Sequence, residues 1–103
     1  ELPVVVVVLN NTVLCIVRQW QNLFYGSRFS QTDPHRATDF VKLANAFGID
    51  GLRIEKPEEI KPILTKAFEM NKPVVVDCHI SPDANVLPMI PPGKTINEII
   101  TEM

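Results

Sequence analysis

A chain of 103 residues, 46% apolar and 21% charged with a formal charge of −2, has room for one domain that buries roughly 60 to 70% of its unfolded surface. Those proportions are ordinary for a globular protein and exclude disorder. The interspersed charges leave no electrostatic footprint for nucleic acid or an anionic membrane, and no apolar run approaches the ~20 residues of a membrane span.

The chain opens on "PVVVVVLNN", residues 3–11. Its valine run, Val4 to Val8, does not alternate with polar residues, which predicts a central strand of a parallel sheet buried on both faces. Asn11 or Thr12 then opens a helix through "VLCIVRQWQNLFYG", with Ile16, Trp20, Leu23 and Phe24 at helical spacing and Gly26 as its stop. "SRFSQTDPHRA" is expected to be irregular. In "TDFVKLANAFG" Thr38 is the expected N-cap, Asp39 complements the helix dipole, and Phe40, Leu43, Ala44 and Phe47 form an apolar stripe. Gly51 to Glu55 reads as a short strand. The next helix, "KPEEIKPILTKAFEMN", has Pro57 in its first turn, a stripe of Ile60, Ile63, Leu64, Ala67 and Phe68, and Pro62 placed to tighten or bend its start.

Lys72 to Ile80 is a second buried strand, and the proline-rich "SPDANVLPMIPPG" is extended. "KTINEIITEM" closes the chain with a capping box from Thr95 to Glu98 and a last short helix. The order strand, helix, helix, strand, helix, strand, helix is that of an α/β fold with a partial parallel sheet of about three strands and covering helices. An exposed valine edge would invite aggregation, so neighbouring strands beyond this sequence are expected. The start, "ELPVVVVVLNN", has neither the basic region nor the cleavage site of a secretory leader and reads as the middle of a longer chain.

Candidate chemistry concentrates at the end of the first strand. Ligands of open parallel sheets bind beyond the carboxyl ends of the strands, where Asn10 and Asn11 fall. An Asn amide oxygen is a donor for a hard cation, but magnesium also wants carboxylates and phosphates, and no carboxylate lies near the pair in sequence. On spacing alone, a turn or helix cap is the simpler role. Trp20 is open in the same way between core packing and a ligand wall. Cys15 and Cys78 read as reduced buried thiols in a cytoplasmic protein. His35 and His79 are solitary and read as surface or packing residues, and no nucleophilic triad emerges from the spacing.

Taken together, "LPVVVVVLNN", "VRQWQNLFYG", "DFVKLANAFGIDGLRIEKPEEI", "KPVVVDCHI" and "NVLPMIPPGKTINEII" resemble the acetolactate synthase (acetohydroxyacid synthase) large-subunit family. The resemblance covers essentially the whole chain and makes residues 1–103 the C-terminal part of a thiamin-diphosphate-binding domain. It implies a Mg²⁺ bound by Asn11 and the Val13 backbone carbonyl, together with the Asp of a Gly-Asp-Gly sequence that would precede Glu1. It places Cys15 and Ile16 beside the cofactor, where the family usually has Gly-Met; Cys adds bulk there, and loss of Met removes a flexible wall. Val17 and Trp20 are implied to line the substrate channel, Trp20 also contacting sulfonylurea-type herbicides.

The same resemblance implies condensation of pyruvate with pyruvate or 2-ketobutyrate in branched-chain amino-acid synthesis. It further implies FAD bound by a separate domain, active sites between the subunits of a homo-oligomer, a regulatory small subunit, and a cytoplasmic, plastid or mitochondrial location. No catalytic residue is expected within these residues, and the 103-residue chain alone is expected to be inactive. The alternatives are another thiamin-diphosphate carboligase or decarboxylase, and a non-catalytic α/β interaction module.

Overall fold

The second valine run, not the first, occupies the middle of the sheet. The computed structural model describes residues 2–35 and 38–102; Arg36 and Ala37 of the irregular segment, with Glu1 and Met103, lie outside the described residues. The elements are β1 (Val5–Asn10), α1 (Cys15–Phe24), α2 (Phe40–Ala46), β2 (Asp50–Ile54), α3 (Ile60–Glu69) and β3 (Val74–His79). Short 3-10 turns occupy Pro57–Glu59 and Ile96–Glu98. Among the described residues the strands form one parallel sheet in the order β1-β3-β2, the α/β architecture expected.

Register decides what each face carries. Asp77 of β3 is flanked by Val8 of β1 and Arg53 of β2, and His79 lies beside Asn10. Successive side chains alternate between faces, so Val74, Val76 and Cys78 share a face with Val5, Leu52 and Ile54. α3 covers that face: Ile54, Ala67, Val74 and Val76 are the buried core, with Ile63, Leu64 and Met70 packed against them. Asp77, His79, Arg53 and Asn10 point to the opposite face. α2 covers it beside β2, approaching so closely that a Cβ on Gly51 would lie 2.8 Å from the Val41 Cα. Only glycine permits that approach.

β1 corrects the expectation of a central, doubly buried strand. It is an edge strand whose Val6, Val7 and Leu9 are 49%, 43% and 65% exposed. An unalternating apolar run reports that both faces are fit for burial; it does not report which elements cover them. α1 stands away from the sheet, and its polar contacts run to the 82–89 segment and the 27–32 loop. The radius of gyration, 17.0 Å, exceeds the about 13 Å of a compact chain of this length, as such an arrangement requires.

Local corrections have local causes. α1 is preceded by Leu14 with no side-chain cap, because Asn11 and Thr12 are spent on the turn that ends β1. Asp39, not Thr38, caps α2: its carboxylate accepts from the Lys42 backbone N–H at 3.0 Å. Leu43, Phe47, Ile60 and Phe68 were expected in apolar stripes but are exposed, and Ala44 and Ala67 are the buried members of their helices. The tightening expected near Pro62 falls one turn earlier, in the 3-10 turn that leads into α3. The last helix is reduced to Ile96–Glu98, where the Glu98 carboxylate accepts from the Thr95 N–H at 3.1 Å. A bridge between Met89 and Ile100 anchors that segment.

Candidate functional site

The carboxyl ends of all three strands converge on one polar cluster. Asp77, fully buried, accepts from Asn10 Nδ2 at 2.9 Å through Oδ1 and faces His79 Nε2 at 3.1 Å through Oδ2. The Arg53 Nε is buried 3.5 Å from the same Oδ2 without hydrogen-bond geometry, while its terminal nitrogen donates to Asp39 at 2.7 Å. Asp39 thereby joins the N-terminus of α2 to the end of β2. The Lys42 backbone hydrogen bond, then the Arg53 and Lys42 charges, hold its carboxyl below the ordinary range against an opposing desolvation. A hollow of about 440 Å³ opens here, lined by Asn10, Thr12, Val13, Asp39, Arg53 and His79 among others.

The asparagine pair builds the turn that leaves β1. Asn10 Oδ1 accepts from the Thr12 N–H at 3.2 Å and Asn11 Oδ1 from the Val13 N–H at 3.3 Å. Thr12 has φ 63°, with its hydroxyl donating to the Asn11 carbonyl at 2.7 Å. A β-branched residue in the left-handed region is strained and needs such support. The Val13 carbonyl accepts no hydrogen bond among the described residues. Asn11 Oδ1 keeps a second lone pair. These two neutral oxygens suit a hard cation such as Mg²⁺, which fills its remaining positions with carboxylate, phosphate and water oxygens.

The other expected site residues are distributed along α1. Cys15 donates through Sγ to the Ala84 carbonyl at 3.3 Å and lines a second hollow of about 300 Å³ with Arg18, Phe29 and Asp83. Ile16 and Val17 are exposed, and Trp20, 38% exposed, lines a third hollow of about 400 Å³ with Phe24, Tyr25, Pro91, Pro92 and Lys94. Val13 and Trp20 thus open onto different hollows, and Asn11 borders none of them.

Sequence reasoning missed Asp77 as a neighbour of the asparagines. A carboxylate does lie beside the pair, engaged by Asn10 and facing His79 and Arg53, and no cluster of three His, Cys, Asp or Glu fit to hold a metal occurs among the described residues. The spacing of Asp77 and His79 on one strand face was the available signal. Also missed was Gln19, 3% exposed, whose amide accepts from the Val86 N–H at 2.8 Å and donates to the Val86 carbonyl at 3.1 Å. No described helix is long and apolar enough to cross a membrane.

Comparison with known proteins gives these features a context. Residues 1–78 match the model of the thiamine pyrophosphate enzyme, C-terminal TPP binding domain. The acetolactate synthase of Mycobacterium bovis is 47% identical over 103 residues, covering 95% of this chain. The probable acetolactate synthase large subunit of Methanocaldococcus jannaschii is 43% identical, covering 97%. The acetolactate synthase large subunit of Haemophilus influenzae is 42% identical, covering 96%. The chain spans only 17 to 18% of the length of these relatives.

Proposed function

The chain belongs to the thiamine pyrophosphate enzyme family, through its C-terminal TPP-binding domain, and from that membership we propose that it is part of an acetolactate synthase condensing pyruvate with a second 2-ketoacid. The observation that carries the reading is the Asn10–Val13 turn at the carboxyl end of β1, where the Asn11 amide oxygen accepts from the Val13 N–H and the Val13 carbonyl accepts no hydrogen bond among the described residues. In this role Asn11 Oδ1 and the Val13 carbonyl are two Mg²⁺ ligands, and a carboxylate from another part of the polypeptide completes the protein's share. The metal would hold the diphosphate of the cofactor against the start of α1, beside Cys15 and Ile16. When bound, thiamin diphosphate supplies the nucleophilic carbon and electron sink for decarboxylating and transferring a 2-ketoacid.

The remaining roles follow the same reading. Val17 and Trp20, one helical turn apart and both exposed, wall the approach of the second ketoacid, pyruvate or 2-ketobutyrate. Their exposed apolar surface excludes water once the rest of the domain closes over them, which strengthens every electrostatic contact within. In the same reading FAD is bound by a separate domain of the polypeptide, active sites form between its subunits, and a regulatory small subunit is a separate chain.

The test is an assay of the native polypeptide that carries this chain, with thiamin diphosphate and Mg²⁺, on pyruvate alone and on pyruvate with 2-ketobutyrate. Acetolactate and acetohydroxybutyrate are expected, and Asn11→Ala raises the Mg²⁺ concentration needed for half-activity at least about tenfold, as loss of a metal's protein partners does. Failure of the native polypeptide to form either product removes the reading.

A further inference from the structure

The turn that carries Asn11 and Val13 is not held by its own residues alone. Its first hydrogen bond, from the Thr12 N–H to Asn10 Oδ1 at 3.2 Å, requires that the Asn10 amide present oxygen to the turn and nitrogen away from it. The Thr12 N–H favours that choice but is exposed, where water can satisfy it as well, so the turn alone does not hold the amide in it. Asp77 does: its fully buried Oδ1 receives Asn10 Nδ2 at 2.9 Å. A carboxylate accepts and an amide nitrogen only donates, so a reversed Asn10 would set oxygen against oxygen. Asp77 is itself fixed from the other side by His79 Nε2 at 3.1 Å and the Arg53 guanidinium at 3.5 Å. It projects from the central strand, which is paired on both sides, 67 residues along the chain from Asn10.

We infer that Asp77 is a positioning residue for the magnesium-ligand turn. It locks the Asn10 amide, which holds Thr12 in its left-handed conformation and so sets the course of the chain through Asn11 and Val13. The inference rests on the functional reading above and deepens it. Asp77 touches neither metal nor cofactor in this role; it acts through Asn10. Outer partners that orient a metal's ligands are worth about ten- to a hundredfold in metal affinity.

Isothermal titration of the native polypeptide with Mg²⁺, at saturating thiamin diphosphate, tests it. Asp77→Val removes the acceptor, and Asn10→Ala cuts the same link from its partly exposed end while leaving Asp77 facing Arg53 and His79. Each is expected to weaken Mg²⁺ binding about tenfold or more, and the double variant no further, since both break one connection. Asp77→Asn keeps an oxygen for Asn10 Nδ2 and is expected to bind Mg²⁺ within a few-fold of wild type. A merely structural Asp77 would lower the thermal midpoint of the cofactor-free protein and leave Mg²⁺ affinity unmoved, which overturns the inference. An unchanged affinity in Asn10→Ala overturns it equally, even where Asp77→Val does not fold. A wild-type polypeptide that takes up no Mg²⁺ with thiamin diphosphate overturns the functional reading itself and this inference with it.

Discussion

Between β2 and β3 the chain completes a core, whereas along β1 and α1 it prepares surfaces and leaves them open. Ile54, Val74 and Val76 are at most 2% exposed under α3, and Gly51 admits α2 against the other face. Across the sheet, Leu9, Ile16, Val17 and Trp20 stand 38 to 65% exposed. The open region is the more apolar of the two in sequence, so composition does not mark which one is buried. What separates them is the means of attachment. The first is held by burial of apolar surface, and the second by polar side chains reaching backbone, such as Gln19 to Val86, or pairing, such as Arg18 to Asp83 at 3.1 Å beneath the Phe29 ring. Exposed apolar surface on this scale marks an interaction site. Under the proposed function, the remainder of the cofactor domain covers it.

The largest expected effect breaks the comparison if it fails. Ile54→Ala removes most of a buried side chain and is expected to cost about 2–5 kcal/mol in the 103-residue chain. Leu9→Ala at the exposed edge is expected to change stability by less than about 0.5 kcal/mol there. Urea unfolding of both variants gives the two numbers directly. In the native polypeptide the same Leu9→Ala is expected to rise into the core range, because the surface is then covered. Equal costs for the two variants in the 103-residue chain would show that β1 already has a complete neighbourhood.

A smaller and more local effect sharpens it. Gln19→Ala leaves the Val86 N–H and carbonyl without their protein partner; Val86 is exposed and water can reach these groups, so the expected cost is the net worth of the lost hydrogen bonds, about 0.5–1.5 kcal/mol each. The loss is expected to fall on the 84–89 segment, read as faster hydrogen exchange at the Val86 amide and earlier protease cleavage nearby. The unfolding midpoint of the β2–α3–β3 core is expected to stay where it was. A drop in that midpoint would mean that α1 and the core unfold as one unit.

Legibility divides along the same line. The core half was readable because its signals are local: unalternating valines for a buried parallel strand, and an apolar residue every turn in the helices. Ala44 and Ala67 surfaced from those stripes as the buried members, while Phe47 and Phe68 were overvalued because periodicity marks a stripe's direction and not its buried width. Thr38 and Asp39 are adjacent cap-formers, and only the geometry chooses the one whose carboxylate reaches Lys42. β1 was misplaced because its apolar faces look alike whether a neighbour is present or absent. The candidate turn was readable as a turn, but its lock to Asp77 bridges 67 residues, and no local pattern announces such a pair. Gln19 was hidden among the polar residues of "RQWQ", where burial has no signature.

Acid gives the smallest effect and carries the comparison to single carboxyls. Asp39 fastens the packed half, its carboxyl lowered from 3.8 by the Lys42 backbone hydrogen bond and then by the Arg53 and Lys42 charges, against desolvation. Glu98 fastens the open half, lowered from 4.5 by the Lys94 side-chain hydrogen bond and then by the Thr95 N–H. A carboxyl lowered by folding adds stability that is full above its unfolded value and is lost as pH falls through its folded one. Each contribution is therefore expected to be full above the carboxyl's ordinary value, 4.5 for Glu98 and 3.8 for Asp39, and to be lost below it, as pH falls through the lowered value of the folded chain. Proton NMR of the Thr95 and Lys42 amides across that range reads the two events separately. Glu98→Gln should abolish the first alone, and Asp39→Asn, which retains an oxygen for the Lys42 N–H, should flatten the second while α2 stays capped. A Glu98→Gln chain in which the Lys42 amide transition also moves would show that the two halves are coupled more tightly than their packing implies.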